Sequence, residues 1–259
     1  MMRILIVNDD GIHAKGLRAL AARIARNHEV TVVAPESEKS ATSHAITLHR
    51  PLRARKTDNI GLEGVNCYVV DGLPVDCTKI GLSHLMRGKA DIVVSGINHG
   101  PNLGSDIVYS GTVAAALDAV IMGYKALAVS LAAHAVDNIN TAAEIAARLI
   151  DGGLFDGAHE NVLYNLNVPD LPLCRIKGLK AAAQAHTVYD ESVELREDPR
   201  GGKYIWITGA MRQISPGDKT DVALVTDGYA VITPIKHDFT AKDKMETLEC
   251  KIKDIKLQT

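Results

Sequence analysis

Strand and helix signals alternate through the first two thirds of this chain, and that alternation restricts its fold more than any other feature. The run Arg3-Ile4-Leu5-Ile6-Val7 is short and apolar enough for a buried strand. A helix is expected over 16–27, where Leu17, Leu20, Ala21 and Ile24 recur at helical spacing. A strand over 29–34 is stopped by Pro35, and a polar loop then leads to a short apolar stretch at 45–48. Further strands are expected at 67–70, 91–94, 126–130 and 162–168. Helices are expected at 75–86, from just after Tyr109-Ser110-Gly111-Thr112 to about 122, and at 139–150. Such alternation predicts an α/β fold with a doubly wound, mostly parallel sheet covered by helices on both faces.

From about residue 161 the character changes. Gly and Pro become dense, strand-like pieces at 204–208 and 229–234 lack clear helices between them, and a charged helix is expected around 242–252. The expected organisation is a core over 1–170 and a β-rich extension over 171–259. A hairpin arm there, not packed on its own core, would reach a partner subunit.

Composition excludes several classes. The formal net charge is −2, so no basic field points to a nucleic-acid polymer or an anionic membrane. Aromatic residues make up 4% of the chain and Trp206 is the lone Trp, too few for a platform that stacks single-stranded nucleic acid. Cys67, Cys77, Cys174 and Cys250 show no metal-binding or redox spacing and are expected as reduced thiols in a cytoplasmic protein. The first residues enter a strand with no leader pattern, and no apolar run approaches a membrane span.

Four loops that follow expected strands carry the residues with chemistry. In the first, Asp9 and Asp10 repel each other at the end of the first strand, inside Asn8-Asp9-Asp10-Gly11. A hard divalent metal would offset that cost, although Asn-Asp-Asp-Gly also suits a turn and helix cap. In the second, Glu36 to His44, Ser40 can offer a hydroxyl to a metal and Lys39 a charge to phosphate. Without further context a solvated loop tip is the better account of it, and His44 reads as a structural hydrogen-bonding residue. The third, Ser95 to Gly104, combines glycines that permit close backbone approach with the amides of Asn98 and Asn102. In the fourth, Ser110-Gly111-Thr112 opens an Ala-rich helix, either as an anion site or as a plain cap. Neither a P-loop nor a dinucleotide fingerprint occurs, and no Cys or G-x-S-x-G elbow supports acyl-enzyme chemistry. A hard-metal site beside a phosphate cradle fits metal-assisted hydrolysis of a phosphate ester.

Taken together, these segments resemble the SurE family of stationary-phase survival proteins, metal-dependent nucleotidases. They are Asn8-Asp9-Asp10-Gly11, the Ser40 loop with His44-Ala45-Ile46-Thr47, Gly72-Leu73-Pro74-Val75-Asp76-Cys77, Ser95 to Gly104, Tyr109-Ser110-Gly111-Thr112, Asp198-Pro199-Arg200-Gly201 and Gly228 to Pro234. Any one is weak; the ordered set, across nearly the whole chain, is specific. The resemblance implies a Rossmann-like core, a swapped C-terminal arm in a homodimer or homotetramer, and hydrolysis of nucleoside 5′- and 3′-monophosphates, in some members also of short polyphosphate. Carried over by position, one Mg²⁺ or Mn²⁺ per subunit would be held by Asp9, Asp10, Ser40 and Asn98. Phosphate would be held by Asn102, Ser110, Gly111 and Thr112. Two positions depart from the family pattern. Ala41 stands where many members carry Gly, which makes Ser40 the least secure ligand, and Val7 stands where a small polar residue is common.

Two chemical routes stay open at this point. Asp9 or Asp10 could orient a water and take its proton, or Asp9 could attack phosphorus itself. Two non-enzymatic readings also remain. A signalling receiver would need an acceptor Asp and a Lys where Ser95 and Ser130 stand. A non-catalytic nucleotide-binding protein could use the same cradle.

Overall fold

The computed structural model describes every residue except 59, 134–136, 158–160, 191, 215–216, 254 and 256–259, the last four closing the expected arm. In chain order the first part contains β1 (Arg3–Val7), α1 (Lys15–Ile24), β2 (Glu29–Pro35), β3 (Ala54–Lys56), β4 (Asn66–Val70) and α2 (Pro74–Ile80). It continues with β5 (Ile92–His99), α3 (Gly111–Ile121), β6 (Lys125–Ala132), α4 (Ile139–Asp151) and β7 (Leu163–Pro169). The remainder adds β8 (Leu179–Ala181), β9 (Thr187–Tyr189), β10 (Ser192–Glu197), β11 (Lys203–Thr208) and β12 (Met211–Gln213), then α5 (Asp221–Thr226), β13 (Ala230–Ile235) and α6 (Met245–Ile252).

One nine-stranded sheet runs in the order β3-β4-β2-β1-β5-β6-β7-β13-β8. From β4 to β7 every pairing is parallel. The outer strands β3 and β13 pair antiparallel with β4 and β7, and β8 runs parallel to β13. The extension therefore contributes two strands to the main sheet.

Alternate residues of β1 feed different cores. Ile4 and Ile6 pack with α1 and α4, while Leu5 and Val7 pack with the layer of α2 and α3. Burial on both faces is why these strands read as continuous apolar runs. The sheet is the expected Rossmann-like, doubly wound type. From β1 the chain winds outward through β2 and β4, then crosses back to β5 on the other side of β1. The loops after β1 and β5 therefore diverge, and a crevice opens between them at the carboxyl ends of the strands.

Several elements differ from their expected bounds. The strand expected at 91–94 extends to His99 as β5, through residues that read as loop. Gly96 makes this possible: it has φ +138°, and a Cβ there would lie 2.3 Å from the Val129 carbonyl of β6. Pairing with β6 shifts register between Gly96 and Asn98 and then resumes. The helix expected over 75–86 is α2 followed by a looser turn, Gly81–Leu85. Segment 45–48 has no regular structure. The charged C-terminal helix begins as a tight turn at Lys242–Lys244 and continues as α6. Helix α5 was not expected; at six residues it is too short to display a period, and it rests on the Thr220 cap, whose Oγ1 accepts from the Ala223 N–H at 3.3 Å.

Within the extension, β10 and β11 form an antiparallel hairpin with Val193, Leu195, Ile205, Trp206 and Ile207 exposed. β9 pairs with β12 beside the crevice. Among the described residues, no helix is long and apolar enough to cross a membrane.

Candidate active site

The crevice is a pocket of about 500 Å³, and six of the eight expected site residues line it: Asp9, Asp10, Ser40, Asn98, Asn102 and Ser110. They arrive from four places. Asp9 and Asp10 follow β1, Ser40 lies in the loop after β2, Asn98 is near the end of β5, and Ser110 caps α3. Asn102 lies just beyond β5. Gly111 and Thr112 stand behind this wall, in the first turn of α3.

Asp9 is 5% exposed, and both its oxygens are held. Oδ2 accepts from the Thr112 backbone N–H at 3.0 Å, and Oδ1 accepts from the Thr112 hydroxyl. A Cβ on Gly111 would lie 2.9 Å from both Cβ and Oδ2 of Asp9, so only glycine lets the start of α3 come this close. Burial pushes the Asp9 pKa up to about 6; the Thr112 hydroxyl opposes that, and the charge of Asp10 adds to it. Asp10 is likewise pushed up to about 6, first by burial, with the His99 N–H opposing at 3.3 Å and Glu38 adding repulsion. Among the described residues neither carboxylate is relieved by a cation.

The neutral oxygens line the same pocket. Asn98 donates its amide N–H to the Gly100 carbonyl at 2.9 Å, which leaves Oδ1 facing the Thr112 hydroxyl at 3.5 Å. Ser40 donates its hydroxyl to Glu38 at 2.5 Å, so its oxygen lone pairs stay available. The Ser40 loop is anchored on both sides. Its Lys39 N–H donates to the Asp9 carbonyl at 2.7 Å, and the Ser43 N–H donates to the Tyr109 carbonyl at 3.1 Å. Further along, His44 reaches buried Asp118 of α3 at 3.3 Å, beside Lys79 at 3.0 Å, which is the structural role expected of it. Ala41 has φ +54°, the left-handed region that glycine adopts freely.

Asn102 is fixed from below by buried polar residues of β6 and β7. Its N–H donates to Asn167 Oδ1 at 2.9 Å, and its carbonyl accepts from the Asn165 and Asn167 amides at 2.9 Å. Its side-chain Nδ2 donates to the Ser130 hydroxyl at 2.8 Å. One amide hydrogen and Oδ1 remain for the pocket.

The donor set suits a hard divalent cation. One buried and one half-buried carboxylate without a countercharge among the described residues, an amide oxygen and a hydroxyl are all oxygen ligands of the kind Mg²⁺ and Mn²⁺ take. Among the described residues no group of three or more His, Cys, Asp or Glu side chains could hold a metal, so such a site depends on Ser40 and Asn98 as well as the two aspartates.

Five further residues line the pocket without having been singled out from sequence: Glu38, His99, Asp106, Tyr109 and Tyr189. His99 and Tyr109 adjoin expected site residues and Glu38 lies two from Ser40, a usable signal, whereas Asp106 is four residues from the nearest. Tyr189 comes from β9, far along the chain, and nothing local marks it.

Comparison with known proteins agrees with this architecture. The family model described as survival protein SurE matches residues 4–191. The 5′-nucleotidase SurE of Thermoanaerobacter sp. (strain X514) is 43% identical over 247 residues, covering 95% of this chain and 97% of the relative. The 5′-nucleotidase SurE of Nitratidesulfovibrio vulgaris (strain DP4) is 44% identical over 248 residues, covering 95% of this chain and 98% of that one. The crystal structure of the SurE protein from Aquifex aeolicus superposes with a TM-score of 0.84 at 33% identity, covering 96% of this chain and 99% of that one. On the family-model match, near-full-length similarity and shared fold, the chain belongs to the SurE family.

Proposed function

We propose that this chain is a 5′-nucleotidase: a metal-dependent phosphomonoesterase that hydrolyses nucleoside 5′- and 3′-monophosphates to nucleoside and phosphate. The observation that carries the reading is the meeting, at one crevice of the sheet, of an uncompensated aspartate pair and the N-terminus of α3, in a chain 43% identical to a 5′-nucleotidase.

Asp9, Asp10, Ser40 and Asn98 hold one Mg²⁺ or Mn²⁺. When bound, the cation neutralises the carboxylates, polarises the phosphate and lowers the pKa of water. The Ser110 hydroxyl, the Gly111 N–H at the positive end of α3 and the Asn102 amide hold the phosphate oxygens, where charge develops in the transition state. Thr112 commits both its N–H and its hydroxyl to Asp9, so it serves the phosphate indirectly, by fixing that carboxylate. Asp10 has no partner on Oδ1 among the described residues and faces the pocket. It is therefore the group that orients the attacking water and accepts its proton. Asp9 is the more buried of the two, and each of its oxygens already accepts a bond from Thr112, so the freer Asp10 and the water route are adopted.

The same cradle suits the terminal group of short polyphosphate. Assembly is proposed as a homodimer or homotetramer through exchange of an arm within 171–259, with 1–170 as the catalytic core. The exposed apolar side chains of β10 and β11, and of Met245, Leu248 and Ile252 on α6, support this. A cytoplasmic setting fits the four unpaired cysteines.

Phosphate release from 5′- and 3′-nucleotides and polyphosphate, with Mn²⁺ or Mg²⁺ and with EDTA, tests the reading. Metal-dependent release from nucleotides is expected. Nucleotide binding without release would leave the non-catalytic alternative in its place.

A further inference from the structure

We infer that the pocket also carries a nucleobase-stacking wall made of Tyr109 and Tyr189, joined through Asp106. This rests on the proposed nucleotidase reading and adds to it the part of the substrate that the phosphate cradle does not contact.

The pocket is otherwise lined almost wholly by oxygen-bearing or small side chains, and these two rings are its large apolar faces. They are 63% and 45% exposed, in a chain whose aromatic content is 4%. Left to water, two such rings gain nothing from burial; across a nucleobase they would. Their position suits one. Tyr109 immediately precedes Ser110, the cap that faces the phosphate site, so the wall begins one residue from the cradle.

The wall is rigid. Asp106 lies in the tight turn Gly104–Val108, and the Tyr109 N–H donates to the Asp106 carbonyl at 3.0 Å. With three residues per turn, side chains at 106 and 109 point the same way. The Tyr189 hydroxyl donates to Asp106 Oδ2 at 2.5 Å, which brings the second ring to the same side. Two more bonds lock β9 to this turn: Ser105 N–H to Thr187 Oγ1 at 2.8 Å and Thr187 N–H to Ser105 Oγ at 3.2 Å. Pre-set rings lose little freedom when a base arrives.

Stacking uses the face of a base and reads no edge. The wall therefore predicts a nucleotidase that prefers nucleotides over base-free sugar phosphates yet accepts purines and pyrimidines alike.

The experiment compares 5′-AMP with ribose 5-phosphate on the Mn²⁺-loaded full chain. The kcat/KM ratio of the two substrates is expected to fall about tenfold in Tyr109→Ala and in Tyr189→Ala, mainly through KM for 5′-AMP. Tyr189→Phe, which keeps the ring, should retain most of the ratio. If Tyr189→Ala disturbs β9, Tyr109→Ala carries the test alone. A wild-type ratio near one, or an unchanged ratio in both Ala variants, overturns the wall. If the wild type releases phosphate from neither substrate, the nucleotidase reading fails separately. The wall is then judged by titrating 5′-AMP and ribose 5-phosphate: equal affinities, or affinities unmoved by the Ala variants, overturn it.

Discussion

Thr112 grips Asp9 with two donors, its backbone N–H at 3.0 Å and its hydroxyl, across 103 positions of sequence. The contact joins the end of β1 to the start of α3. It fixes the plane of the Asp9 carboxylate, and it commits both donors that Thr112 could have offered a phosphate. Asp10 is left as the freer carboxylate, with one oxygen on the His99 N–H.

Asp9→Asn should lower nucleotide hydrolysis by at least ~100-fold, because a charged metal ligand is lost. The fold should survive, since Asn keeps the volume and an acceptor for Thr112. Thr112→Val removes only the hydroxyl, and a lost outer-shell partner of this kind typically costs about 10- to 100-fold in metal affinity or rate. Phosphate-release kinetics with Mn²⁺ titration and circular dichroism check both variants. Near-wild-type activity in Asp9→Asn would sink the site assignment.

The strain at Ala41 should be measurable. A non-glycine residue in the left-handed region costs about 1–2 kcal/mol, part of which glycine returns through its freer unfolded chain. Ala41→Gly should therefore raise stability by up to about 1 kcal/mol in urea unfolding. Ala41→Val, which tolerates φ +54° still less, should displace the neighbouring Ser40. Its expected signature is Mn²⁺ affinity weakened about tenfold, read by calorimetry.

The aspartate pair gives a pH dependence with a definite sign. Both carboxyls titrate near 6 in the folded protein, against 3.8 ordinarily. The folded state therefore binds more protons than the unfolded one between those values, and metal-free protein should lose stability as pH rises from about 4 to 6. Metal binding runs the other way. It needs both groups ionised, so Mn²⁺ affinity should rise steeply up to about pH 6 and level off above it. Asp10→Asn should make EDTA-treated protein more stable at pH 7 while abolishing stabilisation by Mn²⁺. Thermal melts from pH 4 to 8, with and without Mn²⁺, read both effects. A melting temperature indifferent to pH across this range would rule out the burial account.

The parts of this fold that were legible in sequence are those whose physics is local. Strands buried on both faces announce themselves as unbroken apolar runs, and β1, β2 and β7 were found within a residue or two of their ends. Asp9 and Asp10 were conspicuous because adjacent charges at a strand end need a reason. What was hidden depends on distant neighbours. The last five residues of β5 look like loop because Gly96 and Asn98 are poor strand formers; pairing with β6 overrides that. The commitment of Thr112 to Asp9 and the arrival of Tyr189 at the pocket depend on how the sheet and extension are wound. Neither has a signature within a few residues.

Gly111→Ala separates the start of α3 as an anion site from its service to Asp9. In an ordinary helix this change is favourable by about 1 kcal/mol. Here the added Cβ would meet Asp9 Cβ and Oδ2 at 2.9 Å, closer than real contacts allow, and Thr42 Oγ1 at a tight 3.1 Å. Asp9 cannot yield without loosening its bonds to Thr112, so the helix gains while the carboxylate loses its place. The melting temperature of EDTA-treated protein should change little, while kcat/KM for 5′-AMP falls at least ~10-fold, as expected when a ligand loses its support. Because Gly111 and Thr112 act on the same carboxylate, the double variant Gly111→Ala with Thr112→Val should cost clearly less than the two single losses combined. Strict additivity would mean that the two residues serve the phosphate independently, and the role assigned to Thr112 would have to be given up.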